Sequence, residues 1–164
     1  TGIMIAGWGI AVDAVVADFL AGAAERLVVE GAARGDLLWV EGQGSLVHPQ
    51  YSGVTLGLLH GSAPHVLLLC HKAGETQVEG MPEHPIPQLA ELVDLYERAS
   101  LPARPARVAG IALNTSRLPE AEALAAVAAA REETGLPADD PVRFGPVSLL
   151  EPVLAALASG ITRE

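Results

Sequence analysis

The stretch Arg107-Val108-Ala109-Gly110-Ile111-Ala112-Leu113 (RVAGIAL) decides the fold. After Arg107 every residue is apolar or small, with little alternation. That pattern fits a strand buried on both faces, as in a parallel sheet covered by helices, rather than a half-exposed strand. Two more runs read the same way: His65–Cys70 (HVLLLC) and Asp36–Val40 (DLLWV). A shorter fourth run covers Pro141–Phe144 (PVRF).

Between these runs the period changes to that of helices. Val12–Val29 places Val12, Val15, Val16, Phe19 and Ala23 on one face, with Asp13 near the positive helix end. Ser52–His60 is a shorter helix, and Gln88–Ala99 carries the stripe Leu89, Leu92, Val93 and Tyr96. Pro119–Glu133 is alanine-rich, with Pro119 at the first helical position and Gly135 past the end. Val147–Ala158 is the last, with Pro152 near its first turn, where proline is tolerated. Lys72–Pro87 reads as a long surface loop. The alternation predicts an α/β domain over residues 1–164, a mostly parallel sheet with helices on both faces.

Composition narrows the function. A net charge of −10 argues against a nucleic-acid partner, which needs a basic footprint. No apolar run is long enough to cross a bilayer, and the Thr1–Ile5 start carries no basic leader. Cys70 is the single cysteine, so no internal disulfide forms, which suits a cytoplasmic protein; its place in an apolar run reads as core packing. The chain begins at Thr1 rather than Met and reads as part of a longer protein.

In open parallel sheets ligands bind beyond the carboxyl ends of the strands. The segments expected on that rim are Glu41-Gly42-Gln43-Gly44-Ser45, His71-Lys72, Asn114-Thr115-Ser116 and Gly145. A strand-end carboxylate followed by glycines, as at Glu41, can hold Mg²⁺ near phosphates, and it equally fits a solvated acid before a glycine turn. His71 and Lys72 can supply a proton donor and an anion contact, or form a solvated loop pair. Asn114 can read a purine edge or cap the next helix. Gly7-Trp8-Gly9 starts like a dinucleotide fingerprint, but Val12 stands at the third glycine position, so it reads as a loop-to-helix turn. The phosphate-cradling G-x-x-x-x-G-K-[ST] is not found in the sequence, and no histidine pair has zinc-site spacing.

The segments Thr1–Glu25, Val40–Ser62 (VEGQGSLVHPQYSGVTLGLLHGS), Leu67–Gly74, Val108–Thr115 and Leu136–Gly145 together resemble the C-terminal domain of the D-glutamate N-acetyltransferase-like family. The VEGQGSL-HP-YS block is the most specific part. Members resemble phosphate-loop proteins of the dethiobiotin-synthetase type. The resemblance therefore implies a phosphate-loop-type three-layer sandwich, here without the phosphate-loop segment and the N-terminal Rossmann-like domain that family members carry before it. It implies an acid near Mg²⁺ at Glu41 and a base-contacting amide at Asn114, with Gly42, Gln43, Gly44, Ser45 and Thr115 beside the nucleotide or coenzyme. It further implies transfer of acetyl from acetyl-CoA to the amino group of D-glutamate. Glu41, His71 and Lys72 are the expected catalytic residues, and Arg117 and Arg143 the expected carboxylate contacts. The alternatives carried forward are an ATP–Mg-dependent ligase or kinase-like enzyme and a non-catalytic nucleotide-binding module. The expected partners are a small-molecule substrate and further copies of the chain, with activity residing in the full-length protein.

Overall fold

Strand β4 (Arg107–Asn114) is the centre of the sheet, because RVAGIALN offers a continuous apolar ribbon that can be covered twice. It pairs in parallel with β1 (Val66–Lys72) on one side and with β5 (Ala138–Asp139) on the other. The computed structural model describes residues 2–161. Two strands, β2 (Gln77–Val78) and β3 (Met81–Pro85), form a separate antiparallel hairpin. The helices are α1 (Gly2–Ala6), α2 (Ala17–Ala32), α3 (Ser52–Ser62), α4 (Leu89–Ser100), α5 (Glu120–Thr134) and α6 (Val147–Ile161). Contacts divide the chain into two compact units: residues up to Pro64 with Ala99–Arg104, and His65–Arg98 with Pro105 onward.

The sheet lies in the second unit. Side chains alternate across a strand, so Val108, Gly110 and Ala112 share one face and Ile111 and Leu113 the other; all five are buried. A side chain at Gly110 would point at Leu149 of α6, 3.1 Å away, which places α6 on the even-numbered face. On α4, Leu89 and Leu92 are buried and Val93 and Tyr96 half-buried, as the stripe predicts. The N-terminal amides of a helix have no partner within it. Those at the start of α4 are met by carboxylates: Glu91 accepts from the Gln88 N–H (3.1 Å) and Glu133 of α5 from the Ala90 N–H (3.1 Å). The α/β architecture with a mostly parallel sheet and flanking helices is the one the sequence predicts.

Several boundaries differ. Asp36–Val40 forms no strand; it runs as bend and coil with Leu37, Trp39 and Val40 exposed. A strand needs a ladder partner for its amides and carbonyls, and the β1-β4-β5 ladder does not include this run. Pro141–Phe144 is a turn, and the third strand of the sheet is the preceding Ala138–Asp139. The expected Val12–Val29 helix is interrupted: Val12–Ala14 is a 3₁₀ turn, Val15 is extended, and α2 begins at Ala17. The break rotates the apolar face, so Leu20 and Ala24 are buried while Val16 (67%) and Phe19 (69%) are exposed. Pro119 is the cap residue of α5 rather than its first helical one, whereas Gly135 ends the helix with φ 66° as expected. Pro152 falls in the second turn of α6, not the first. The Lys72–Pro87 segment contains the β2–β3 hairpin, turned at Gly80 (φ 76°). Cys70 is exposed, not core. The residues before Gly7-Trp8-Gly9 are helical, which removes the strand a dinucleotide fingerprint needs.

In the first unit α2 packs on α3 at backbone distance. A Cβ on Gly61 would collide with the carbonyl of Ala21 and lie 2.8 Å from the Ala24 Cβ. The obstacle is backbone, which cannot swing aside. Gly61→Ala is therefore expected to cost about 2 kcal/mol by forcing the helices apart, read as a lower urea midpoint with an unchanged slope. An unchanged midpoint would mean that the two helices are not in this contact.

Candidate functional site

Because β1, β4 and β5 are parallel, their carboxyl ends open on one rim. Lys72 and Asn114 are paired in register at that rim, and the Ala73 N–H continues the ladder to the Asn114 carbonyl (3.1 Å). Register partners share a face, so Lys72 and Asn114 emerge on the α6 side while His71, paired with Leu113, emerges on the other. His71 and Lys72 thus do not act on one ligand group as adjacent residues of a loop would.

The loop after β1 brings an acid to the rim that sequence reasoning passed over. Glu75 forms an ion pair with the Lys72 ammonium, and the Arg117 guanidinium stands 4.0 Å from the same carboxylate oxygen. Lys72 and Glu75 are each roughly a quarter to a third exposed, so the pair is open to exchange with a solvent-borne anion. His71 is half-buried. Burial pushes its imidazole below the ordinary value, against the opposing pull of the Glu75 and Glu133 carboxylates, so it is neutral at pH 7 and able to accept a proton.

The loop after β4 is built more tightly. The Asn114 side-chain oxygen accepts the Ser116 N–H (3.0 Å), the cap geometry that competes with purine reading. Thr115 is fully buried (0%); its N–H (2.9 Å) and hydroxyl (2.5 Å) both donate to Oδ2 of Asp140. Oδ1 of Asp140 accepts the N–H groups of Val142 and Arg143, each at 3.0 Å. The Arg143 Nη2 returns across the gap to the carbonyls of Thr115 (3.1 Å) and Leu118 (2.9 Å). The Thr115 hydroxyl and one guanidinium nitrogen of Arg143, both expected to face ligand, are spent inside the protein. Asp140 was legible only as the Asp-Pro turn signal, which the strand expected over Pro141–Phe144 hid.

The Glu41–Ser45 segment belongs to the first unit and is held by local bonds. The Thr55 hydroxyl donates to the Gln43 carbonyl (2.5 Å), and the Ser45 hydroxyl accepts the Val47 N–H (3.3 Å). Gly44 has φ 63°, and a Cβ there would lie 2.5 Å from that of Tyr51. The requirement for glycine at 44 is met by this turn without a ligand. Gly42 has open space around it. Glu41 is exposed and follows coil rather than a strand, so the strand-end argument for Mg²⁺ at this residue falls. Among the described residues no group of three or more His, Cys, Asp or Glu side chains could hold a metal ion.

A parallel sheet gathering cations at its carboxyl rim defines an α/β domain of the class that binds ligands at strand ends. The chain belongs to the DUF1611 family: residues 1–150 match the model described as a domain of unknown function (DUF1611_C), P-loop domain. It is similar to a D-glutamate N-acetyltransferase of Tritonibacter scottomollicae, 42% identical over 94% of this chain and 46% of the relative. It is also similar to one from a Pseudoalteromonas species, 38% identical over 91% of this chain and 45% of the relative. The crystal structure of a DUF1611 family protein from Anabaena variabilis superposes with a TM-score of 0.89 at 46% identity, over 94% of this chain and 46% of that one. The chain thus spans about half the length of the curated relatives it matches. No helix among the described residues is long and apolar enough to cross a membrane.

Asp140 gives the site a pH signature. Burial alone would raise its pKa, but the Thr115 side-chain and backbone bonds, with the Arg143 and Val142 amides, outweigh it and bring the value from 3.8 to about 2. A depressed carboxyl stabilises the fold fully above the unfolded value, and the contribution is lost as pH falls through the folded one. The stability gap between the wild type and Asp140→Asn is expected to be constant above pH ~5 and to shrink between the two pKa values. Urea midpoints measured over that range check it; a gap that does not shrink would show Asp140 is not held ionised.

Proposed function

We propose that this chain is the rim-bearing part of an N-acetyltransferase that moves acetyl from acetyl-CoA to the amino group of D-glutamate. The observation that carries this reading is the pair of relatives bearing that name, aligned over nearly the whole chain at 42% and 38% identity. The rim adds chemical support. In a chain of net charge −10, Lys72 and Arg117 converge on a carboxylate, that of Glu75, and a carboxylate of D-glutamate is the same group. Substrate would exchange with Glu75 at these two cations. Arg143, bonded through Nη2 to the carbonyls of Thr115 and Leu118, is given no substrate contact in this reading.

The ammonium of D-glutamate must become an amine before it can attack. His71, neutral through burial, is the base this reading assigns. The amine nitrogen bonds to the thioester carbonyl carbon and the carbon–sulfur bond breaks. The departing thiolate takes up the second proton that the nitrogen sheds. The adenosine phosphates of the coenzyme are assigned to the cationic carboxyl rim of the sheet. The P-loop description of the family favours a second reading, ATP with Mg²⁺ in the same place. In that case ATP turnover, not thiol release, accompanies product formation.

Full-length protein supplied with acetyl-CoA and D-glutamate is expected to release free CoA thiol. Lys72→Ala should raise KM for D-glutamate about tenfold, and His71→Gln should lower kcat about a hundredfold. Since the neutral imidazole is the active form and burial lowers its pKa, wild-type kcat/KM should rise with pH along a limb displaced below the ordinary histidine range, and His71→Gln should lose that limb. Thiol release unaffected by both substitutions would remove the rim from the reaction, and no thiol release across D-amino acids would remove the reaction itself.

A further inference from the structure

Asp140 lies on the turn after β5, and nothing in the acetyl-transfer scheme uses it. It is 3% exposed, ionised, and saturated by four hydrogen bonds from two different loops. We propose that Asp140 and Arg143 form a clasp that positions the β4–α5 loop, and through it the Arg117 guanidinium, for the substrate carboxylate. This deepens the D-glutamate reading and rests on it for the identity of the ligand, but not for the clasp itself.

The geometry is reciprocal. The carboxylate of Asp140 holds the loop by the Thr115 N–H and hydroxyl, and the guanidinium of Arg143 holds the same loop by the carbonyls of Thr115 and Leu118. The bonded positions, 115 and 118, bracket Ser116 and Arg117. The loop closes on itself through the Leu118 N–H to the Thr115 carbonyl (2.9 Å), so that carbonyl is shared between the turn and Arg143. Arg117 itself is 75% exposed, and among the described residues its ion-pair contact is the distant one to Glu75. A long, solvated side chain cannot hold its own root in place; the clasp does. Arg143 consequently acts as a positioning residue, because its Nη2 faces backbone carbonyls rather than the rim. The same arrangement explains Thr115, whose hydroxyl is the inner half of the clasp and so cannot contact a coenzyme.

The test uses the full-length protein and two independent readouts. Hydrogen exchange of the Ser116–Leu118 amides should speed up about tenfold or more in Asp140→Asn, and by a smaller factor in Arg143→Gln, which leaves the buried carboxylate untouched. In the acetyl-transfer assay both variants should raise KM for D-glutamate about tenfold with kcat changed less. Arg117→Ala should raise it in the wild type but add little in the Asp140→Asn background, since the guanidinium is already misplaced. A general loss of stability would instead leave the two substitutions multiplicative. Unchanged exchange in both variants overturns the clasp. Faster exchange with multiplicative KM effects overturns its action through Arg117. A wild type inert toward D-glutamate but with exchange altered as stated sinks the substrate reading and upholds the clasp.

Discussion

The parallel pairing of β4 with both neighbours is the constraint on which the sheet-bearing unit depends. Parallel ladders put all three carboxyl ends on one side, and β4 is buried on both faces, so a shift of its register by one residue would exchange the side chains packed on its two faces. Lys72 meets Asn114 because of that register. The turn after β5 meets the loop after β4 for the same reason: Ala112 pairs with Asp139, so the next residue, Asp140, arrives beside Thr115.

Two kinds of electrostatic contact follow, and they differ in consequence. Glu75 with Lys72 and Arg117 is partly solvated, and exposed pairs contribute little to stability. In the proposed reaction their use lies in being exchangeable. Asp140 is sealed off and bonded on every lone-pair side, so its ionised form is retained and its partners are fixed. A soft pair at the surface over a hard clasp beneath it is an arrangement in which a ligand can displace one acid without loosening the backbone that presents the cations.

Much of this was legible in the sequence, and the exceptions have physical causes. The strands at Val66–Lys72 and Arg107–Asn114 and helices α3 to α6 lie within a few residues of their expected places, because their apolar pattern is carried by contacts inside the unit that contains them. Asp36–Val40 has the composition of a strand but no ladder, and composition cannot supply hydrogen-bond partners. The α2 face was misread because periodicity was carried across the extended Val15, which resets the phase. At the rim, Lys72 and Asn114 are where strand-end logic puts them. Glu75 and Asp140 were missed because an acid in a loop carries no pattern; only its partners, unknown until the chain is folded, distinguish it from a solvated charge.

The most direct test is a crystal structure of the full-length protein with D-glutamate and a non-reactive acetyl-CoA analogue. A D-glutamate carboxylate is expected within hydrogen-bond distance of the Lys72 ammonium and the Arg117 guanidinium, with Glu75 turned away and the Asp140–Thr115 bonds unchanged. D-glutamate bound elsewhere, with the Lys72–Glu75 pair intact, would contradict it.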